Sequence, residues 1–109
     1  MNPLKINIKD DFSDAPGARY KKDGPNSGEE FYDKFLKPRF EEAKNNRVKL
    51  IIELDGVWGY PSSFVSGSFG RLSLEYGASV VLQTIMFVSI ESEARKNRII
   101  DEIKNPTKK

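Results

Sequence analysis

The fold is decided by the stretch Val48-Lys-Leu-Ile-Ile-Glu-Leu-Asp-Gly-Val-Trp-Gly-Tyr-Pro-Ser-Ser-Phe64. Its first part, Val48 to Leu54, is almost continuously apolar, which is typical of a central strand covered on both faces by helices. A turn follows, and Ser62 and Ser63 then stand where an amphipathic helix would begin. The stretch therefore predicts a strand, a turn and a helix, with two hydroxyl groups beside the carboxyl end of the strand.

The flanking sequence continues the alternation of strands and helices. Alternating apolar residues predict a short edge strand at Leu4 to Ile8. Ser27-Gly-Glu-Glu30 fits a capping box that opens a helix, Asn45-Asn46 ends it, and Pro38 kinks or restarts it. The remaining predicted elements are a helix from Ser62 to Gly77, a strand at Thr84 to Val88 and a helix from Glu91 to Ile103, with helix and strand both open at Val80 to Gln83.

This order predicts one α/β domain at residues 1–105 with a mostly parallel central sheet, followed by a flexible tail at 106–109. A chain of 109 residues is long enough to bury one modest core. We also consider a short strand at Arg19-Tyr20 within the long polar connection that precedes the first helix. The predicted core includes Phe31, Phe35, Phe69 and Leu72.

The composition narrows the function classes. The chain contains no cysteine and no histidine, so it lacks thiol nucleophiles, thiolate metal ligands and the commonest general base. We therefore expect no catalysis. We also expect no metal or other cofactor, since Asp10, Asp11 and Asp14 fit a solvated turn better than a calcium loop. A net charge of +2 is too small to predict nucleic acid or an anionic membrane as a partner. With no signal-peptide core and no apolar run of membrane-spanning length, we expect a cytoplasmic protein.

Three separated motifs resemble those of the STAS-like family of uncharacterised bacterial domains, and they occur in the same order. They are Pro16-Gly-Ala-Arg-Tyr20, Gly24-Pro-Asn-Ser-Gly-Glu-Glu-Phe31, and Gly59-Tyr-Pro-Ser-Ser-Phe64 with Phe69-Gly70. The resemblance runs over nearly the whole chain. It implies a STAS-like α/β fold with helices packed on the sheet.

More distantly, Leu54 to Phe64 is similar to the switch segment of anti-sigma factor antagonists. In those proteins a partner kinase phosphorylates a serine at a helix N-terminus, and that serine falls at Ser62 here, with Ser63 beside it. Pro61 stands where the antagonists carry an acidic residue. The similarity implies a regulatory module whose partner is another protein, such as a histidine-kinase-like ATPase or an anti-sigma-type regulator.

Two functional hypotheses follow for this region. In the first, one serine caps the helix, the other is the phosphorylation candidate, and a partner protein docks on large side chains of the polar turns. In the second, the same helix N-terminus binds an anion or a nucleotide with arginines as counter-charges. The partner-binding candidates are Arg19, Tyr20, Trp58 and Tyr60, and the anion-binding candidates are Arg19, Ser63 and Arg71. Ser66-Gly-Ser-Phe-Gly-Arg71 lacks the spacing and the lysine of a phosphate-binding loop, so we interpret its small residues as allowing either close packing or the approach of a partner.

Overall fold

The computed structural model describes residues 2–107, and a three-stranded parallel sheet in the order β1-β2-β3 lies at its centre. The strands are β1 (Leu4–Asn7), β2 (Leu50–Glu53) and β3 (Ile85–Val88). Leu50 pairs with Leu4 on one side and with Ile85 on the other. The predicted α/β class is confirmed, with the first strand at an edge and the second and third strands as parallel neighbours.

Helices connect the strands and follow the last one. They are α1 (Gly28–Phe31), α2 (Lys37–Asn46), α3 (Ser62–Val65), α4 (Arg71–Tyr76), α5 (Ala78–Thr84) and α6 (Glu93–Lys104). Wider π-helical turns at Tyr32–Leu36 and Ser66–Gly70 join these segments into two continuous helices, named here the α1–α2 helix and the α3–α4 helix. At Val80 to Gln83, where helix and strand were both open, the chain is helical. Among the described residues, no helix combines the length and the apolarity needed to cross a bilayer.

The α1–α2 helix begins and ends where the sequence predicts. Ser27 Oγ accepts a hydrogen bond from the Glu30 N–H at 3.0 Å, which is one half of the predicted capping box. The Glu30 carboxylate accepts from the N–H of Asn26 at 3.2 Å instead of returning to Ser27. Pro38 lies in the first turn of α2, directly after the π-helical turn. The wider turn accommodates the proline, which has no N–H to donate to the helix, so the helix continues to Asn46.

The start of the α3–α4 helix corrects the prediction that Ser62 or Ser63 caps it. Pro61 is the N-cap, with φ −57° and ψ 145°, and neither serine provides a side-chain cap. The Val65 N–H donates to the Pro61 carbonyl at 3.1 Å and closes the first turn. The fixed φ of proline sets the chain direction at this point, and both serines lie inside the helix.

Two predictions in polar segments are wrong. Arg19-Tyr20 forms a bend instead of a strand, because the carbonyl groups of residues 18 and 19 accept hydrogen bonds from the first turn of α1. Glu91 lies in the loop before α6 and not in its first turn. Ser92 is the N-cap of that helix, and its Oγ accepts from the Arg95 N–H at 3.1 Å.

The core lies between the helices and one face of the sheet. Phe31, Phe69 and Leu72 are fully buried, as predicted, whereas Phe35 is partly buried against the same cluster. The Phe69 ring meets the ring of Phe87 on β3 edge to face, with centroids 5.2 Å apart. The α3–α4 helix is therefore anchored directly on the last strand.

The opposite face of the sheet is more open than predicted. Lys5, Ile51 and Met86 form one row across it, and Met86 is 49% exposed. Parallel sheets usually have both faces covered. The expectation that Val48 to Leu54 is covered on both faces is wrong, because the core helices pack against the other face.

The small residues of the α3–α4 helix mark a crossing of helices. A Cβ on Gly28 would lie 2.6 Å from the carbonyl oxygen of Phe64, and a Cβ on Gly70 would lie 2.6 Å from a carboxylate oxygen of Glu102 on α6. The backbones of the two helices approach at Gly28 as closely as only glycine permits, whereas at Gly70 the side chain of Glu102 occupies the space that a Cβ would need. The interpretation of the segment as a site of close packing is confirmed.

The described chain ends in contact with α6. The Thr107 N–H donates to Glu102 Oε2 at 2.6 Å. Lys108 and Lys109, the last residues of the tail predicted at 106–109, lie outside the described residues. The domain boundary at residue 105 stays a prediction.

Candidate functional site

Loops at the carboxyl edge of the sheet are tied together by the carboxylate of Asp55. This side chain accepts hydrogen bonds from the N–H of Ile90 at 2.7 Å, from the Ser89 hydroxyl at 2.9 Å and from the N–H of Glu91 at 3.2 Å. In return, the Gly56 N–H donates to Glu91 Oε1 at 2.7 Å. The turn after β2 and the turn after β3 therefore form one connected unit.

The ionisation of Asp55 is coupled to this connection. The hydrogen bond from the Ile90 N–H, followed by those from Ser89 and Glu91, lowers the pKa of the Asp55 carboxyl below its usual value, against an opposing effect of desolvation. These bonds favour the charged form of the carboxyl, which is the stronger acceptor. The loop unit is therefore held by an ionised carboxylate at neutral pH.

Trp58 lies on this unit and faces solvent. Its side chain is 85% exposed, while its backbone N–H donates to the Asp14 carbonyl at 2.8 Å. That bond also attaches the segment after β1 to the turn after β2. A shallow cleft of about 360 Å³ beside the indole is lined by Ala15, Pro16, Gly59, Tyr60 and Pro61. The indole therefore lies in water, while the hydrogen bond to Asp14 fixes the backbone that carries it.

Ile90 is a second exposed apolar side chain at the same edge, and the sequence analysis missed it. It is 91% exposed, although its own N–H is bonded to Asp55. The signal in the sequence is weak, because it consists of one isoleucine between Ser89 and Glu91, beyond the end of the apolar run that forms the preceding strand. Only the fold shows that it stands on the loop next to the one that carries Trp58.

Tyr60 does not belong to the exposed surface, although it was a partner-binding candidate. Its ring is buried, and its hydroxyl donates to the Leu54 carbonyl at 2.8 Å. Burial raises the pKa of the phenol above its usual value. The Arg95 guanidinium lies 5.4 Å from the ring centroid and donates to the Val57 carbonyl at 3.1 Å. Tyr60 therefore supports the loop from inside.

Ser62 and Ser63 follow Trp58 closely in the chain, after Gly59, Tyr60 and Pro61. Ser62 is exposed and Ser63 is partly exposed, at the first two positions of α3. The two residues differ in exposure and not, as predicted, by a capping hydrogen bond. Ser62 is the more accessible phosphorylation candidate.

Arg19 and Tyr20 lie apart from this edge, against the side of the α3–α4 helix. Arg19 Nη1 donates to Ser66 Oγ at 2.5 Å, and Tyr20 is 42% exposed. Both line a cleft of about 340 Å³ together with Arg71, whereas Ser63 does not line it. Of the predicted anion-binding residues, the fold brings the two arginines together, and Ser66 takes the position next to them.

The exposed side chains at the carboxyl edge are named here the carboxyl-edge surface. It consists of Trp58, Ile90 and Ser62 with the exposed acids Asp14 and Glu91. It is built from turns that follow all three strands of the sheet.

Comparison with known proteins identifies the family. Neither the curated proteins nor the solved structures contain a match to this chain. A family model does match residues 27–95, which include β2, β3 and the α1–α2 and α3–α4 helices. The match confirms the resemblance over these residues, and the first motif, Pro16 to Tyr20, lies outside them. The chain belongs to the family described as STAS-like domain of unknown function (DUF4325).

Proposed function

We propose that this domain is a cytosolic regulatory module that docks a partner protein through the carboxyl-edge surface. The observation that carries the proposal is Trp58, a large apolar side chain left in water on a loop whose backbone is pinned. Tryptophan is one of the residue types enriched among interface hot spots. A side chain of this kind gains free energy when a partner removes it from water.

The loops that carry the surface are already ordered by hydrogen bonds. Asp55 holds the turn that presents Ile90, and Asp14 holds the turn that presents Trp58. Ordering a mobile loop on binding costs free energy. Loops that are already ordered avoid most of that cost, which favours docking of the partner without refolding of this domain.

The charge at this edge favours a partner with a basic surface. Exposed acids outnumber the exposed Lys9 in the segments that follow β1 and β3; they are Asp10, Asp11, Asp14, Glu91 and Glu93. Complementary charge steers association and rejects acidic partners. The proposed partner is therefore a protein with an apolar pocket for Trp58, rimmed by Lys or Arg. The similarity to antagonist switch segments points to a kinase-like ATPase or an anti-sigma-type regulator as the class to examine.

Substitution of the indole tests the docking proposal. A partner recovered by affinity capture is purified, and its dissociation constant is measured by titration calorimetry at low and high salt. Trp58→Ala should weaken binding by about 2 kcal/mol or more, the range of a hot-spot residue, and Ile90→Ala should weaken it less. Higher salt should lower the affinity of the native chain.

Met86→Ala is the matched control, because Met86 is an exposed apolar residue on the open face of the sheet. It should bind as the native chain does. Since Trp58 is exposed, its removal should change the free energy of unfolding by no more than about 0.5 kcal/mol. Native affinity in both Trp58→Ala and Ile90→Ala would place docking elsewhere on the molecule.

We propose that phosphorylation of Ser62 regulates this docking. The hydroxyl is exposed at the first position of α3, where a phosphate would face the positive end of the helix dipole. It would also add negative charge beside Trp58, at an edge that is already acidic. Toward a basic partner, the added charge should increase affinity.

Mass spectrometry of the protein from its native cells tests the modification, by searching for phosphate on the tryptic peptide that spans residues 50–71. Ser62→Asp should bind the partner more tightly than Ser62→Ala, and the same pair of changes at Ser79, an exposed serine of α5, should have no effect. Equal binding by the two Ser62 variants, with no phosphate found under any growth condition, would leave the docking surface without this switch.

A further inference from the structure

We propose that the cleft between Arg19-Tyr20 and the α3–α4 helix binds a small organic anion, a molecule with a phosphate or carboxylate group. The cleft holds about 340 Å³, which lies within the range of small-molecule sites. Its lining residues are Arg19, Tyr20, Glu29, Ser66, Gly67, Arg71, Leu74 and Thr107. It shares no residue with the carboxyl-edge surface, so this inference does not rest on the docking proposal.

Arg19 is held in place on the cleft wall. Its carbonyl accepts from the Glu29 N–H at 2.9 Å. Its side chain lies directly on the backbone of Gly67, where a Cβ would be 2.9 Å from Arg19 Cγ. At the far end, Nη1 donates to the hydroxyl of Ser66, a buried residue that is 5% exposed. The guanidinium is therefore positioned before any ligand arrives.

Arg71 also lines the cleft and is held in place by different contacts. Its guanidinium lies 4.2 Å from the centroid of the Tyr32 ring and makes one long ion pair, 3.9 Å, with Asp33 Oδ1. Asp33 is also paired with Lys21 at 3.0 Å. A guanidinium has five N–H donors, and these contacts in the described chain occupy few of them. Arg71 can therefore donate to a ligand while its ring contact keeps it in position.

The charge of the cleft selects an anion. The two arginines face one lining carboxylate, Glu29, and Glu29 Oε1 already accepts from the Lys21 N–H at 2.9 Å. Two guanidinium groups in one concave site match the planar oxygens of a carboxylate or phosphate. Tyr20 and Leu74 add exposed apolar surface, which would contact the carbon part of the ligand.

Recognition falls on side chains, because the adjacent backbone donors are occupied. In the first turn of α1, the N–H groups of Gly28, Glu29 and Glu30 donate to the Ala18 carbonyl, the Arg19 carbonyl and Ser27 Oγ. That helix N-terminus therefore has no first-turn N–H to offer from these positions. The arginine side chains must therefore supply the binding energy for the anion, and substitution of one arginine should lower the affinity.

Titration of the ¹⁵N-labelled chain with inorganic phosphate, adenosine monophosphate and uncharged adenosine tests the site. Phosphate and the monophosphate should shift the amide signals of Arg19, Ser66 and Gly67, and adenosine should not. Arg71→Gln should weaken binding of the monophosphate at least tenfold. Arg39→Gln removes the same charge from an exposed position of α2 and should leave the affinity unchanged. Glu29→Gln keeps an oxygen acceptor for Lys21 and should tighten binding, because it removes the negative charge of a carboxylate that lines the cleft.

Three outcomes would overturn the proposal. The first is the absence of shifts at these amides up to about 10 mM of both anions, a concentration that would reveal even a weak site. The second is equal loss of affinity in Arg71→Gln and Arg39→Gln, which would mean attraction by net charge alone. The third is binding of adenosine as tight as that of its monophosphate. The unfolding curves of the variants establish that each is folded before titration.

Discussion

Asp55 shows how much structure one carboxylate can organise. It follows β2 directly and accepts three hydrogen bonds from the loop after β3. The sequence indicated only a polar turn at this position, because an aspartate before a glycine is common in turns. Its partners are supplied by a segment that comes about 35 residues later, and local patterns carry no information about such a distance.

Replacement of this carboxylate should loosen the loop that presents Ile90. Asp55→Asn keeps one oxygen acceptor and loses the charge and the second acceptor, so the free energy of unfolding should fall by about 1 kcal/mol. Hydrogen exchange at the amides of Ile90 and Glu91 should become faster. Asp101→Asn, at an exposed position of α6, is the control and should change neither quantity.

The same residue predicts a dependence on pH. The pKa of Asp55 is lower in the folded chain than its usual value. Its contribution is therefore complete at pH values above the unfolded pKa of about 4, and it is lost as the pH falls through the folded pKa. Protection of the Ile90 amide should decrease in acid in the native chain but not in Asp55→Asn. Equal pH profiles for the two proteins would contradict this role.

Trp58 and Tyr60 mark the limit of prediction at the scale of single residues. Both are aromatic, both lie in the same turn, and both were partner-binding candidates. The structure leaves the indole in water and buries the phenol under the Leu54 carbonyl. Which of two aromatic residues turns inward depends on the direction of the turn, and the sequence does not specify that direction.

At the scale of elements, the helices were predicted well and their contacts were not. The apolar spacing and the Ser27 cap located the α1–α2 helix, because these signals are local. The N-cap of the α3–α4 helix was misassigned, since Pro61 takes the cap position that serine usually fills. The contact between the two helices depends on Gly28, whose role is visible only when the partner helix is in place.

The crossing of these helices predicts the effect of a methyl group at Gly28. In isolation, alanine is the better helix former by about 1 kcal/mol. In the folded chain, the new Cβ would lie 2.6 Å from the carbonyl oxygen of Phe64, and backbone cannot move away cheaply. Gly28→Ala should therefore destabilise the domain by about 1–3 kcal/mol in chemical denaturation, the range for overpacking.

Gly59→Ala is the matched comparison for that measurement. Apart from the two chain neighbours of Gly59, no heavy atom of the described residues lies within 4 Å of the position that a Cβ would take there. This variant should therefore keep the native stability or gain slightly through a less flexible unfolded chain. A Gly28→Ala protein as stable as Gly59→Ala would mean that the helices separate without cost, and the close crossing would then be unimportant for stability.

At the scale of the whole molecule, the alternation of strands and helices was enough to predict the fold class. Parallel connection follows from that order, because each strand is reached through a helix. The cover of the sheet was predicted wrongly. In the run Val48 to Leu54, one face of the strand is wholly apolar, whereas the other carries Lys49, Ile51 and Glu53. These two charged residues indicate an open face, and the interpretation of the run as almost continuously apolar overlooked them. The cleft of Arg19 and Arg71 was predicted only as a pair of charges, since the fold decides which neighbours join them.

The exposure of Trp58 has a consequence for optical spectroscopy. It is the only tryptophan of the chain, and its indole is already surrounded by water in the folded state. Indole emission moves to shorter wavelength when water is removed from the ring, so unfolding changes the environment of this fluorophore very little. A protein bound over the ring would change it strongly. The chain thus carries an intrinsic fluorescent reporter that is almost silent during denaturation and responds to occupation of its own carboxyl-edge surface.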